Sequence, residues 1–273
     1  MLVISIQSQV VHGHVGNSAA VYPMQAEGVA VAAVPTALLS NHPHYPTMRG
    51  TILQPELVGD LLQGVEERGL VEEASILLTG YLGSPGIAER VAQFAERAQR
   101  INPELRYVCD PVMGDDDLGV FVADGMAELF RDRLVPLAWI ITPNQFELEL
   151  LTKRAARDAA GLVDASLVIA ARGCPIVIAT GCTLADTPAD MVETVLSEAG
   201  VLTRIATPRL PIRPCGTGDL LSGLLAAHVA KGEPPARALR LAVGRTHTIL
   251  ERTMARGAEE MTIIGMHKEG DPQ

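Results

Sequence analysis

Asp219 follows the phrase Cys215-Gly216-Thr217-Gly218 and opens an apolar run of helical length, Leu220 to Val229. Two glycines two residues apart permit a tight turn. A helix starting there aims free amides and the positive end of its dipole at whatever sits in front of it. Such a nest binds phosphate without a dedicated lysine. A carboxylate beside an anion site makes sense if it takes a proton from a hydroxyl that attacks the phosphate; otherwise Asp219 is a helix cap. Asp110, before Pro111, and Glu147, after Thr142-Pro143-Asn144, are carboxylates that also follow apolar runs. Hard oxygen ligands of this kind organise Mg²⁺ beside phosphates, directly or through water. Their structural alternatives are a turn before proline for Asp110, a dipole-favoured first-turn acid for Glu147, and a plain helix entry for Thr142 and Asn144. Tyr81, after Thr79-Gly80, either stacks on a flat ring or fills a loop. His12 and His14 share a face if extended, but no third ligand accompanies them, so a metal site there is not expected. His247 reads as a packing residue, and Asp115-Asp116-Asp117 as a solvated loop.

Two nucleotide signatures are missing. No G-x-x-x-x-G-K-[ST] occurs, and no G-x-G-x-x-G follows the first strand, which excludes a P-loop enzyme and gives no support to a Rossmann dehydrogenase. Phosphate binding must then use the Gly216–Gly218 turn. With 22 Lys and Arg against 32 Asp and Glu, the net charge of −10 argues against nucleic acid as a partner. Four cysteines without C-x-x-C spacing read as free thiols of a reducing compartment. Met1 to Ile6 has no basic region and no cleavage site, and no apolar run approaches the roughly 20 residues that span a bilayer. A soluble, cytoplasmic protein is expected.

The elements that must position these side chains alternate along the chain. Strands are expected at Leu2 to Ile6, Val29 to Val34, Ser75 to Thr79, Arg106 to Cys109, Trp139 to Ile141 and Ile176 to Ala179. Helices are expected at Asn17 to Gly28, Pro55 to Arg68, Pro85 to Arg100, Ala123 to Leu134, Asn144 to Leu151, Ala160 to Arg172, Leu220 to Val229 and Pro235 to Met254. Pro35 to Gly50 reads as a loop or edge flap. Met191 to Leu196 and Val201 to Ala206 read as a hairpin joined by Ser197 to Gly200. Thr262 to Ile264 reads as a last strand, and the tail beyond Gly265 as frayed. Strand–helix alternation gives an α/β fold with a mostly parallel sheet and right-handed crossovers. Ligands of such sheets lie beyond the carboxyl ends of the strands, where Gln7-Ser8, Thr79-Gly80-Tyr81, Asp110-Pro111, Thr142-Pro143-Asn144 and Thr180-Gly181 all fall.

Several phrases together resemble the pyridoxal kinases of the ribokinase-like superfamily. They are Ser5-Ile6-Gln7-Ser8, His14 to Ala20, Ser40-Asn41-His42, Thr79-Gly80-Tyr81-Leu82-Gly83, Cys109 to Gly114, Thr142 to Glu147 and Gly216-Thr217-Gly218-Asp219. They stand in the family's order over nearly the whole chain. The Gly-Thr-Gly-Asp turn alone marks only the superfamily; the Ile-Gln-Ser, Ser-Asn-His and Gly-Tyr-Leu-Gly phrases narrow it to kinases of the B6 vitamers.

The resemblance implies a three-layer ribokinase-like domain over residues 1–273 with a small flap near 35–50. It implies ATP-dependent phosphorylation of the 5′-hydroxymethyl group of pyridoxal, and of pyridoxine and pyridoxamine, in vitamin B6 salvage. Asp219 matches the catalytic base, and the amides of Gly216, Thr217 and Gly218 match the anion hole. Asp110 and Glu147 match the residues that organise Mg²⁺ and the ATP phosphates, with Thr142, Asn144 and Thr180 on the nucleotide side. Ser8, Thr36 and Tyr81 match positions around the vitamer ring. A homodimer and a monovalent cation such as K⁺ are implied as well. The chain departs from the family pattern at Ala37-Leu38-Leu39, where a polar residue and an aromatic are usual, and at Gln9, where histidine is frequent. Thr180 stands where some bacterial members carry lysine, and Val120 where one branch carries a reactive cysteine. Two other readings stand beside the kinase of B6 vitamers: a hydroxymethylpyrimidine kinase of thiamin synthesis, and a B6-vitamer-binding protein of low turnover.

Overall fold

The alternation of strands and helices produces a nine-stranded sheet covered on both faces. The computed structural model describes residues 1–266. The first half of the chain runs β1 (Leu2–Val10), α1 (Asn17–Ala26), β2 (Ala30–Leu39), β3 (Gly50–Ile52), α2 (Pro55–Glu67), α3 (Leu70–Glu73), β4 (Ala74–Thr79) and α4 (Pro85–Ile101). Next come β5 (Arg106–Cys109), β6 (Gly114–Asp115), β7 (Gly119–Val120), α5 (Met126–Leu129) and β8 (Ile140–Ile141). The remainder is α6 (Gln145–Thr152), α7 (Ala159–Ala170), β9 (Ile176–Cys182), β10 (Met191–Glu198), β11 (Val201–Pro208), α8 (Thr217–Ala230) and α9 (Pro235–Ala255).

The strand order is β11-β10-β9-β8-β5-β4-β1-β2-β3, with the six strands from β9 to β2 parallel and the outer ones antiparallel. Apolar residues occupy both faces of the central strands because helices cover both. On β4, Leu77 joins a core with Val58, Val91, Phe94, Leu148 and Leu162 of α2, α4, α6 and α7. Its neighbours Ile76 and Leu78 turn the other way, onto Ala19, Leu220, Leu224 and Leu239 of α1, α8 and α9. The result is the three-layer, mostly parallel α/β arrangement expected from the sequence, with every parallel strand ending on one rim. Among the described residues no helix is long and apolar enough to cross a membrane.

Three segments differ from the sequence-based expectation. Pro35 does not end β2: the strand continues to Leu39, and Ala37 to Leu39 pair with β3, so only Ser40 to Arg49 remains a flap. Proline cannot donate to the ladder, and beside it the β1–β2 register slips: Gln7 and Gln9 pair with Pro35 and Leu38, so Thr36 and Ala37 of β2 together stand opposite Ser8 at the rim. Ala123 to Leu134 is not one helix. After the single turn of α5 the backbone passes through a π turn (Phe130–Leu134) and a 3₁₀ turn (Val135–Leu137), where Pro136 removes a donor. Thr262 to Ile264 is not a strand. Met261 and Ile263 bury against the layer of α1, α8 and α9, and the Thr262 amide donates to Thr253 Oγ1 at 2.9 Å, so the segment is satisfied away from any sheet edge. The tail beyond Gly265 is expected from sequence to fray, but Met266 is buried in the layer of α1, α8 and α9; residues 267–273 lie outside the described residues.

Under the rim, a buried polar hub ties three elements. Asn17, at the start of α1, accepts from Ser5 Oγ at 2.8 Å and donates through Nδ2 to the carbonyls of Gln7 and Val34 at 3.1 and 3.2 Å. Asn17→Ala leaves one hydroxyl and two strand carbonyls without this partner in a dry interior. The expected cost is about 2–4 kcal/mol, read as a lower urea midpoint with unchanged slope.

Candidate active site

The rim collects side chains from six strand ends, and the sheet order sorts them. Thr180, on β9, and Thr142, just after β8, lie on one side; Asp110, just after β5, is central. Tyr81 after β4, Ser8 on β1 and Thr36 on β2 lie on the other side. The N-terminus of α8 faces this row.

Gly216 caps α8 in the left-handed region, with φ 79° and ψ 10°. A Cβ there would overlap the carbonyl oxygen of His14, so the turn is pressed against the His14–Gly16 segment more closely than any side chain allows. Gly16 is equally constrained, since a Cβ would overlap the carbonyl of Ser8 at a φ of 54°. Its amide donates to the Asp219 carboxylate. The first-turn amides of α8 have no acceptors within the helix and open toward the rim. Asp219, in that first turn, is pushed up to about 6 by burial, against the opposing hydrogen bond from Gly16.

Asp110 is almost fully buried, and its Oδ2 accepts from Ser222 Oγ at 2.8 Å. Ser222 in turn lies 3.1 Å from Thr142 Oγ1. Asp110 Oδ2 is also 4.0 Å from where a Cβ on Gly218 would stand, so the glycine turn and the β5 carboxylate border one space. Burial drives the Asp110 pKa well above the carboxylate range, and the two charges that press on it, Glu147 and Asp219, are both negative.

Glu147 is pushed up to about 7 by burial, although its oxygens are fully engaged. Oε1 accepts from the amides of Met113 and Gly114 at 2.8 and 3.3 Å, and Oε2 from the amide of Asn144 at 2.9 Å. Asn144 caps α6 by accepting from the Glu147 amide at 2.8 Å and donates to the Gly114 carbonyl at 2.7 Å. Glu147 and Asn144 form a capping box at the start of α6, and together they clamp the loop after Asp110. Thr180 joins the same corner, its amide donating to Pro143 at 2.9 Å.

On the opposite side, Thr36 Oγ1 donates to the Tyr81 carbonyl at 2.7 Å, which fixes the half-buried Tyr81 after β4. Burial raises the Tyr81 pKa. Ala37 is wholly buried and Leu38 faces solvent, and Ala37-Leu38-Leu39 keep their pairing with β3.

The structure thus gathers Ser8, Thr36, Tyr81, Asp110, Thr142, Asn144, Glu147, Thr180 and the Gly216–Asp219 turn along one rim. Sequence alone assigns no role to Ser222 or Gly16. Ser222 had a usable signal, since three residues after Asp219 on a helix it shares that face. Gly16 stands in the His14 to Ala20 phrase, but nothing there points to Asp219. His12 and His14 stand near the rim, and among the described residues no group of three or more His, Cys, Asp or Glu is placed to hold a metal ion.

Comparison with known proteins agrees with this geometry. The family model for phosphomethylpyrimidine kinase matches residues 13–263. The chain is 37% identical over 273 residues to the pyridoxal kinase PdxY of Granulibacter bethesdensis, covering 98% of this chain and 96% of that protein. It is 30% identical to the pyridoxal kinase of Leishmania donovani solved with ADP and ginkgotoxin, with a TM-score of 0.88 over 97% of this chain and 93% of that one. The same Leishmania donovani enzyme solved with ADP and pyridoxamine matches at 30% identity and a TM-score of 0.86, over 96% of this chain and 90% of that one. In sequence over almost its whole length, and in the arrangement of its strands and helices, this chain belongs to the pyridoxal kinase family and carries its ribokinase-like fold.

Proposed function

We propose that this chain transfers the terminal phosphoryl group of ATP to the 5′-hydroxymethyl oxygen of pyridoxal, and of pyridoxine and pyridoxamine, in vitamin B6 salvage. The observation that carries this reading is the rim itself: an acidic, raised-pKa Asp219 and a helix N-terminus between two different half-sites. The Thr142–Thr180 corner takes the nucleotide and the Ser8–Thr36–Tyr81 corner takes the flat ring, with Tyr81 against its face. The amides of Gly216, Thr217 and Gly218 form the hole for the moving phosphoryl group.

In the step, the Asp219 carboxylate takes the hydroxymethyl proton, the new O–P bond forms on the side away from the departing ADP oxygen, and ADP leaves with the bonding pair. Asp110, pressed by two negative charges, fits a divalent cation. With Glu147 committed to backbone amides, Asp110 would hold Mg²⁺ together with waters and phosphate oxygens, and Glu147 would act through water. When bound, the ion neutralises charge developing on the phosphates. A K⁺ ion, a homodimer and a cytoplasmic setting complete the proposal on family membership alone, with the chain working as one domain.

A base must be ionised, and burial holds Asp219 at about 6. Lowering the pH through that value protonates it, so kcat/KM for pyridoxal is expected to fall below pH 6 and level off above. A profile over roughly pH 4.5–7.5 tests this, and a flat profile rules out an Asp219 base with this pKa.

A hydroxymethylpyrimidine kinase is the second reading, favoured by the description of the matching family model. ADP release with Mg²⁺ and ATP, measured side by side on pyridoxal, pyridoxine, pyridoxamine and hydroxymethylpyrimidine, separates the two. The proposal expects pyridoxal among the preferred acceptors. Preference for the pyrimidine would overturn it, and pyridoxal binding without turnover would mark a binding protein.

A further inference from the structure

Glu260 lies past the end of α9, in no element assigned to the chemistry, yet it gathers groups from two other segments. Its Oε1 accepts the Tyr45 hydroxyl at 2.8 Å and stands 2.8 Å from His42 Nε2; its Oε2 accepts the His14 amide at 3.0 Å. His42 and Tyr45 belong to the Ser40–Arg49 flap and stack with ring centroids 4.7 Å apart. Inside the flap, Asn41 Nδ2 donates to the Thr47 carbonyl at 2.9 Å, which closes the turn on itself. A second contact runs from flap to glycine turn, His44 Nδ1 to Cys215 Sγ at 3.1 Å.

The His14 amide leads directly to the reacting centre. Two residues on, Gly16 donates to Asp219, and the His14 carbonyl is the atom against which Gly216 is packed. The carboxylate is mostly enclosed, its side chain 18% exposed. Burial works to raise its pKa, and the hydrogen bonds from Tyr45 and His42 outweigh that and hold it below the usual range. An ionised group shared between a flap and the segment behind the catalytic turn is more than surface decoration.

We propose that Glu260 is a positioning residue that latches the Ser40–Arg49 flap to the His14–Gly16 segment, so that flap closure and the placement of Asp219 and Gly216 occur together. The catalytic part of this inference rests on the vitamer kinase reading; the latch itself does not. A flap closed when the turn is in place keeps water from competing with the vitamer hydroxyl for the phosphoryl group.

Glu260→Gln keeps the shape but cannot accept on both sides, since one face of the amide is a donor. Hydrogen exchange on the ligand-free protein is the primary test. Amides of the flap and the Gly16 amide are expected to exchange faster together, by on the order of tenfold, while the strands of the central sheet are unchanged. Tyr45→Phe, which removes one of the three bonds, should give a smaller change at the same two places. Unchanged exchange at either place in Glu260→Gln overturns the latch, as does a change confined to the tail after α9. In the enzyme assay, Glu260→Gln is expected to raise KM for pyridoxal, leave KM for ATP near its original value, and release more ADP than phosphorylated vitamer. A variant that only loses thermal stability, with ADP and product still equal, reduces Glu260 to a tertiary staple. If the unsubstituted protein turns over no vitamer, the kinase reading fails, and the exchange result still decides the latch.

Discussion

Asp219→Ala is expected to lower pyridoxal turnover by on the order of a hundredfold or more, with ATP still bound. A primary alcohol is a weak nucleophile near neutrality, and Asp219 is the carboxylate in the first turn of α8, beside the amides proposed to receive the phosphoryl group. Removing it takes away the proton acceptor and leaves the amides, Asp110 and the Thr142–Thr180 corner intact. Stability separates this role from capping. Asp219 has a raised pKa and is one of the charges that press on Asp110, so its ionised form works against the fold. A folded-state pKa of about 6 means that any linked stability is present below the unfolded carboxylate value and lost as pH rises through 6. Near neutrality, Asp219→Ala should therefore unfold no earlier than the parent protein. A helix cap would give the reverse pattern, a clear loss of stability with turnover retained.

Gly216→Ala is expected to be nearly as damaging to turnover by a different route. The position combines a φ of +79° with a carbonyl oxygen lying where the methyl must go. The left-handed backbone costs roughly 1–2 kcal/mol for an L-residue, which a domain of this size can survive. The overlap with His14 cannot be relieved without moving either the glycine turn or the segment that carries Gly16. A displacement near 1 Å at the reacting groups costs about a hundredfold, so turnover should fall by that order in a protein that still folds. Gly232→Ala is the matched control. It has a similar φ of +87° and nothing within 4 Å of an added Cβ, so it should share the backbone strain and keep its turnover. Equal activity in the two variants would show that contact with His14 does not position the turn.

Much of the rim was legible because its signals are local. A strand ending in a polar pair announces itself within a few residues, and β4, β5 and β9 begin and end within three residues of where β-branched runs and turn residues put them. Pro85 at the first helical position placed the start of α4, and Ser84 just before it caps the helix, accepting from the Ile87 amide at 3.3 Å. Long-range geometry was not legible. Nothing in Ala37-Leu38-Leu39 says that β3 will pair with it and turn part of an irregular stretch into strand. Thr262 to Ile264 is β-branched throughout, like a strand, but its burial comes from the helix layer and the Thr262 amide is satisfied by Thr253. Gly16 and Glu260 depend on contacts to Asp219 and His14 that span 203 and 246 residues of chain. No local pattern encodes them. Family resemblance supplied the roles of Asp110 and Glu147, whereas the structure gives them different partners: Asp110 Oδ2 accepts from the Ser222 hydroxyl, and Glu147 accepts from the amides of Met113, Gly114 and Asn144.

The most direct test of the central claim is the identity of the product formed from pyridoxal, ATP and Mg²⁺. Mass and phosphorus–proton coupling read both the added group and the oxygen that carries it. The account predicts pyridoxal 5′-phosphate and ADP in equal amounts from the unsubstituted protein, and neither above background from Asp219→Ala. Phosphate on another oxygen, undiminished product from Asp219→Ala, or no product from any B6 vitamer would contradict it.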